Sequence, residues 1–88
     1  MYNIELGGEV FKDLAKLSAE ISAKIKQKVF HNLVHNPRGA NCTLLKGKKY
    51  AKIWRCGVAQ DYRVFYEINE EMKIITVARV IHRSEAYR

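Results

Sequence analysis

Six cationic side chains crowd the stretch from Lys46 to Arg63: Lys46, Lys48, Lys49, Lys52, Arg55 and Arg63. Asp61 alone opposes them, and Tyr50, Trp54 and Tyr62 are interleaved. Cations mixed with aromatics suit RNA, because phosphates take the charge and unstacked bases take the rings. The same stretch also reads as a solvated basic surface whose aromatics belong to the core. Cleaving RNA without a metal requires a base for the ribose 2'-hydroxyl proton, donors for the charge gathering on the phosphate, and an acid for the departing 5'-oxygen. Lys, Arg, His and Tyr suffice for this. Crowded cations depress the pKa of a lysine or tyrosine, while arginine stays charged and meets phosphate bidentately.

The rest of the chain narrows the alternatives. Eighty-eight residues at 10.2 kDa make one small domain, residues 1–88, and exclude a large multi-domain enzyme. Sixteen Lys and Arg against nine Asp and Glu leave a formal charge of +7, which attracts a polyanion or an acidic protein. The half through Leu44 carries six basic and four acidic residues, and the remainder ten and five, so most of the excess lies in the second half. Cys42 and Cys56 are too few for a disulfide scaffold and lie at no metal-ligand spacing. They read as reduced and structural, with no His and acid placed to activate either. No apolar run approaches the ~18 residues of a membrane span, and Met1-Tyr2-Asn3-Ile4-Glu5 lacks a basic segment leading into an apolar one. The expectation is a cytoplasmic protein with no membrane partner.

Tyr2 to Leu6 alternates with the period of a half-buried strand and stops at Gly7-Gly8. Val10, Phe11, Leu14 and Leu17 then share a helical face, with Lys12, Asp13 and Lys16 turned away. Ser18 stands where an N-cap belongs, and Ile21, Ile25, Val29 and Leu33 repeat at i+4 up to Asn36-Pro37, which stops the helix. Lys24, Lys28, His31 and His35 form a basic stripe along the outer side of this second helix, the polar face an amphipathic helix must show to water. β-branched and aromatic runs follow at Thr43 to Lys46, Tyr50 to Cys56, Tyr62 to Ile68 and Met72 to His82, with Asn69-Glu70-Glu71 as a hairpin turn. The order predicts an α+β domain in which a small twisted, mostly antiparallel sheet carries two N-terminal helices on one face and leaves the other open.

Alternation along the third of these runs sends Tyr62, Val64, Tyr66 and Ile68 to one face and Arg63, Phe65 and Glu67 to the other, open one. Lys52 and Arg55 are an odd number of residues apart, so a regular strand cannot present both on one face. A bulge at Arg55-Cys56-Gly57 would reconcile them. Val58-Ala59-Gln60 separate Gly57 from Asp61, and which of Lys52 and Arg55 faces the site stays open. His82 at a strand end reads equally as a hydrogen-bonded structural residue and as an acid or base.

Leu45-Lys46-Gly47, Asp61-Tyr62-Arg63-Val64-Phe65-Tyr66-Glu67-Ile68, and the run from Val77 into His82-Arg83 with Tyr87 four residues after the arginine resemble the RelE/ParE toxin superfamily. The N-terminal strand and two helices agree, so the resemblance covers nearly the whole chain. It implies, for the RelE branch, a ribosome-dependent mRNA endonuclease of a type II toxin-antitoxin system, which needs no metal or cofactor and is silenced by a cognate antitoxin. The ParE branch shares the fold and is described as poisoning DNA gyrase. By motif position the resemblance assigns Lys52, Arg63, Arg83 and Tyr87 to catalysis, with Arg55 and His82 behind them; the basic stretch itself points to Lys46, Lys48 and Lys49 for RNA binding. From the charge alone, affinity for ribosomes or RNA should fall steeply with ionic strength in a salt titration, and charge reversal at Lys48 and Lys49 should slow association.

Overall fold

The computed structural model describes residues 1–39, 41–45 and 52–85. Five strands form one sheet: β1 (Asn3–Leu6), β2 (Cys42–Leu44), β3 (Trp54–Val58), β4 (Tyr62–Asn69) and β5 (Ile74–His82), in the order β1-β5-β4-β3-β2. β1 runs parallel to β5 and the other pairs are antiparallel. Helices α1 (Gly8–Ala15) and α2 (Ala19–Gln27) cover one face, the α+β arrangement that the sequence pattern predicts.

Each helix starts and turns for local reasons. Gly7 lets the chain leave β1 closely over β5: its N–H donates to the Val77 carbonyl at 2.8 Å, and a Cβ there would sit 3.1 Å from that same oxygen. The Ser18 hydroxyl accepts from the Ile21 N–H at 3.2 Å and caps α2. α2 passes into a π-helical segment, Lys28–Leu33. A four-residue repeat drifts only about 40° per step around an α-helix, so Ile25, Val29 and Leu33 stay within one apolar stripe and all remain buried.

Alternation divides β4 as predicted, with Val64 and Tyr66 wholly buried under the helices. They meet Cys56 and Val58 of β3 and Ile75, Val77 and Val80 of β5. Strict alternation would part Val77 from Val80. The register shift across Phe65 and Tyr66 leaves Ala78 unpaired on β5, and this bulge returns both valines to the core. The bulge falls on β5, across β4 from Arg55, and not at the Arg55-Cys56-Gly57 position at which one was expected, where β3 is regular.

α1 departs from the sequence reading in its rotation. Asp13, expected to point away, is 5% exposed, and Phe11, expected on the apolar face, is 61% exposed. The cause is the outer edge of β5 beyond its pairing with β1. The Val80 N–H has no strand partner there and donates to the Asp13 carboxylate at 2.9 Å, while the Arg79 guanidinium meets both carboxylate oxygens at 2.9 and 3.0 Å. Burial opposes the charge on Asp13, but these donors outweigh it and hold the carboxyl below its ordinary range. Phe11 and the 43%-exposed Phe30 consequently rim an apolar groove of about 310 Å³ between the helices.

Opposite this edge, Glu70 in the β4–β5 turn gathers three donors. Tyr2 donates to it at 2.6 Å, Lys73 lies 2.9 Å away and Arg38 2.5 Å away, tying the N-terminus, the loop after the helices and the turn together. Among the described residues no helix is long and apolar enough to cross a membrane. The hydrogen bond from Tyr2 and the ammonium and guanidinium partners pull the Glu70 carboxyl down from 4.5 to about 2. A depressed carboxylate pKa stabilises the fold above the unfolded-state value and loses that contribution as pH falls toward the folded one. Glu70→Gln should therefore lower the urea midpoint at neutral pH, with the gap to the parent closing as pH falls below about 4.5.

Candidate nucleic-acid cleft

The uncovered face of the sheet carries a polar cleft of about 460 Å³ lined by Asn41, Thr43, Arg55, Gly57, Ala59, Gln60 and Arg63. Register puts these residues together. Thr43 pairs with Arg55 and Gly57 with Arg63, so two arginines from adjacent strands lie diagonally across one bare backbone position. A Cβ at Gly57 would stand 3.5 Å from an Arg63 guanidinium nitrogen, so the arginine lies across the glycine. That guanidinium donates to the carbonyls of Gln60 at 3.2 Å and Tyr62 at 3.0 Å. Gln60 holds its carbonyl there from a turn in which Ala59 and Gln60 both adopt positive φ, 51° and 65°. Side chains other than glycine adopt that conformation at a cost of about 1 kcal/mol each, so the tight β3–β4 connection stores strain beside the cleft.

Two adjacent arginines on an open polar surface can hold the non-bridging oxygens of a phosphodiester through charge-assisted hydrogen bonds. Neither can act as a base, because guanidinium stays protonated. Among the described residues no group of three His, Cys, Asp or Glu side chains is arranged to hold a metal ion.

The other sequence-assigned residues are dispersed. Lys52 is exposed and precedes β3 in a turn with φ of 66°, so the parity conflict with Arg55 does not arise and Lys52 is not among the cleft-lining residues. Arg83 is exposed beyond β5, its Nε 3.5 Å from an Asp61 carboxylate oxygen and its backbone N–H donating to the Asp61 carbonyl at 2.7 Å. His82 pairs with Tyr62 and shares the helix-covered side with it. Their rings meet edge to face at 5.3 Å, and Nδ1 of His82 accepts the Ser84 N–H at 3.1 Å. These contacts lie on the opposite side of the sheet from the arginine pair.

Trp54 and Tyr62 also take the helix side, Trp54 with Arg38 stacked 5.7 Å from its ring centroid. Phe65, which pairs with Arg55, is the aromatic that β4 gives to the open face. Lys46, Lys48, Lys49, Tyr50 and Tyr87 lie outside the described residues. Sequence reasoning did not single out Asn41 or Thr43. The pairing of β2 with β3 brings them to the cleft, and a three-residue strand carries too little alternation to announce a facing residue.

A family model described as ParE toxin of type II toxin-antitoxin system, parDE, matches residues 4–87. The chain belongs to this toxin family. Its fold is also that of RelE toxins. The RelBE2 toxin-antitoxin complex from Mycobacterium tuberculosis contains a chain 26% identical to this toxin, with a TM-score of 0.84 over 93% of this chain and 98% of that one. The isolated RelE toxin of E. coli is 22% identical with a TM-score of 0.75, covering 99% of this chain and 92% of its own. The archaeal RelE-RelB complex from Pyrococcus horikoshii contains a chain 20% identical with a TM-score of 0.66, covering 97% and 98%. No curated protein sequence matches the chain.

The arginine-over-glycine packing makes its own prediction. Gly57→Ala adds a Cβ at ordinary contact distance and should leave affinity for a single-stranded oligoribonucleotide unchanged. Gly57→Val should push the Arg63 guanidinium aside and weaken that affinity about tenfold, as fluorescence anisotropy would read.

Proposed function

We propose that this toxin is an endoribonuclease that cuts ribosome-bound mRNA by metal-independent attack of the ribose 2'-hydroxyl on the neighbouring phosphate. The observation that carries this reading is the convergence of Arg55 and Arg63 on an open polar cleft, on the one sheet face the helices leave free. In it the two guanidiniums neutralise the phosphate and the charge that develops in the transition state. The proton acceptor comes from elsewhere, because both cleft cations are arginines. Lys52 and Tyr87, the groups that the motif positions supply, have the right chemistry, since an amine or a phenolate can accept the ribose proton. Lys46, Lys48 and Lys49 extend the positive surface for the RNA backbone, and Arg83 stands at the end of β5 as a further cation.

The partner that silences it is a cognate antitoxin. The chain's charge of +7 and the groove rimmed by exposed Phe11 and Phe30 support an acidic, amphipathic antitoxin segment. A second reading follows from the matching family description, that of ParE toxins. On it the chain inhibits DNA gyrase without catalysis, and the arginine pair is a binding surface.

A reconstituted translation reaction distinguishes the two. Message cleavage that requires ribosomes, mapped by primer extension, is the expected result, and Arg63→Ala and Arg55→Ala should each reduce its single-turnover rate about 10²-fold. Trapped gyrase-DNA cleavage complexes without message cleavage would establish the other reading. Tyr87→Phe separates two roles for that residue. Loss of cleavage on the order of 10²-fold with ribosome affinity retained identifies proton transfer, whereas tolerance of Phe but not Ala identifies stacking on a base.

A further inference from the structure

The function proposed above uses neither cysteine, yet the fold brings the two together. Cys42 of β2 and Cys56 of β3 are directly opposed in the antiparallel register, and their sulfurs lie 2.8 Å apart as free thiols. Direct cross-strand partners have Cα separations of about 4.5–5.5 Å, within the range a disulfide spans without backbone movement. Fourteen residues separate the two in sequence, so their proximity is a product of strand pairing.

We propose that Cys42 and Cys56 are a modification site, a dithiol that a hydroperoxide converts to a reversible disulfide fastening edge strand β2 to β3 behind the cleft. Cys42 is half-buried and Cys56 fully buried, so the oxidant reaches Cys42 first. Its thiolate sulfur attacks one peroxide oxygen, the O–O bond breaks, and the departing hydroxide takes up the thiol proton as water, leaving a sulfenic acid on Cys42. The Cys56 sulfur then attacks the Cys42 sulfur, the S–O bond breaks, and the hydroxide leaves with the Cys56 proton as a second water. Two thiols give up two electrons and one peroxide becomes two waters. Burial pushes the Cys56 thiol up to about 12, and the nearby Lys28 ammonium acts in the opposite sense. Cys56 therefore suits the second, resolving step, in which its partner sulfur is already in contact.

The placement gives the bond a consequence. Asn41 and Thr43 flank Cys42 and line the cleft, Thr43 pairs with Arg55, and the Asn41 carbonyl accepts the Gly57 N–H at 3.2 Å. β2 is three residues long and lies at the sheet edge, so oxidation would fix a wall of the cleft that is otherwise held by a few backbone hydrogen bonds.

The test treats the folded protein with a small excess of hydrogen peroxide, alkylates the remaining thiols with N-ethylmaleimide and measures intact mass. The expected result is a monomer lighter by two hydrogens in which both thiols become unreactive together, a linked peptide containing Cys42 and Cys56, and restoration by dithiothreitol. The oxidised protein should melt about 5 °C or more above the reduced one. In Cys56→Ala, Cys42 should stop at a dimedone-reactive sulfenic acid, and in Cys42→Ala, Cys56 should stay reduced. Both thiols remaining alkylatable in the parent protein, a sulfenic acid that persists on Cys42 with Cys56 present, or disulfides only between chains would each overturn the proposal. The mass measurement on the parent protein decides it even where a variant folds poorly.

Discussion

Tyr66 sits in the middle of β4 with no exposed surface, its ring in the core and its hydroxyl donating to the Pro37 carbonyl at 2.5 Å. Burial raises the pKa of that phenol well above its ordinary value, so it stays a neutral donor. The bond closes the end of the helical layer onto the sheet, and with Val64 it fixes which side of β4 faces inward. A slip of one residue would exchange the two faces, burying Arg63 and exposing Tyr66, at the cost of an unpaired buried guanidinium. Everything on the open face inherits its position from this register. Arg63 faces outward because Val64 faces inward, Gly57 lies beneath it because β3 pairs in the matching register, and Arg55 falls two residues along the same side.

Three of the nine acidic residues are committed to structure. Asp13 closes the free edge of β5, Glu70 gathers Tyr2, Arg38 and Lys73, and Asp61 meets Arg83 at the end of the sheet. None of them lines the cleft, which therefore keeps its positive character. The strained turn at Ala59 and Gln60 belongs to the same arrangement, because its carbonyl orients the Arg63 guanidinium from behind. Backbone carbonyls can hold an arginine in place without neutralising it, as a carboxylate would, and so leave its charge available to a phosphate.

The fold family includes both RelE-like and ParE-like toxins, and the architecture is common to the two. What distinguishes chemistry from binding is the presence of a proton-transfer group beside the paired arginines. His82 lies on the helix side against Tyr62, across the sheet from the arginine pair.

The sequence by itself determined the order of elements, the cap at Ser18, the stop at Pro37 and the division of β4 into a core face and an open face, because these follow from short-range periodicity and local backbone chemistry. It also placed Arg63 correctly, since a single strand's alternation is enough. Four things needed the tertiary structure. Asp13 turns inward because a β5 amide, sixty-seven residues away, lacks a partner. Val77 and Val80 share the core because Ala78 bulges against β4. Trp54 and His82 take the helix side because register assigns them there. Arg55, Thr43 and Asn41 meet Arg63, and Cys42 meets Cys56, only through pairing between strands, a relation that composition and spacing do not encode.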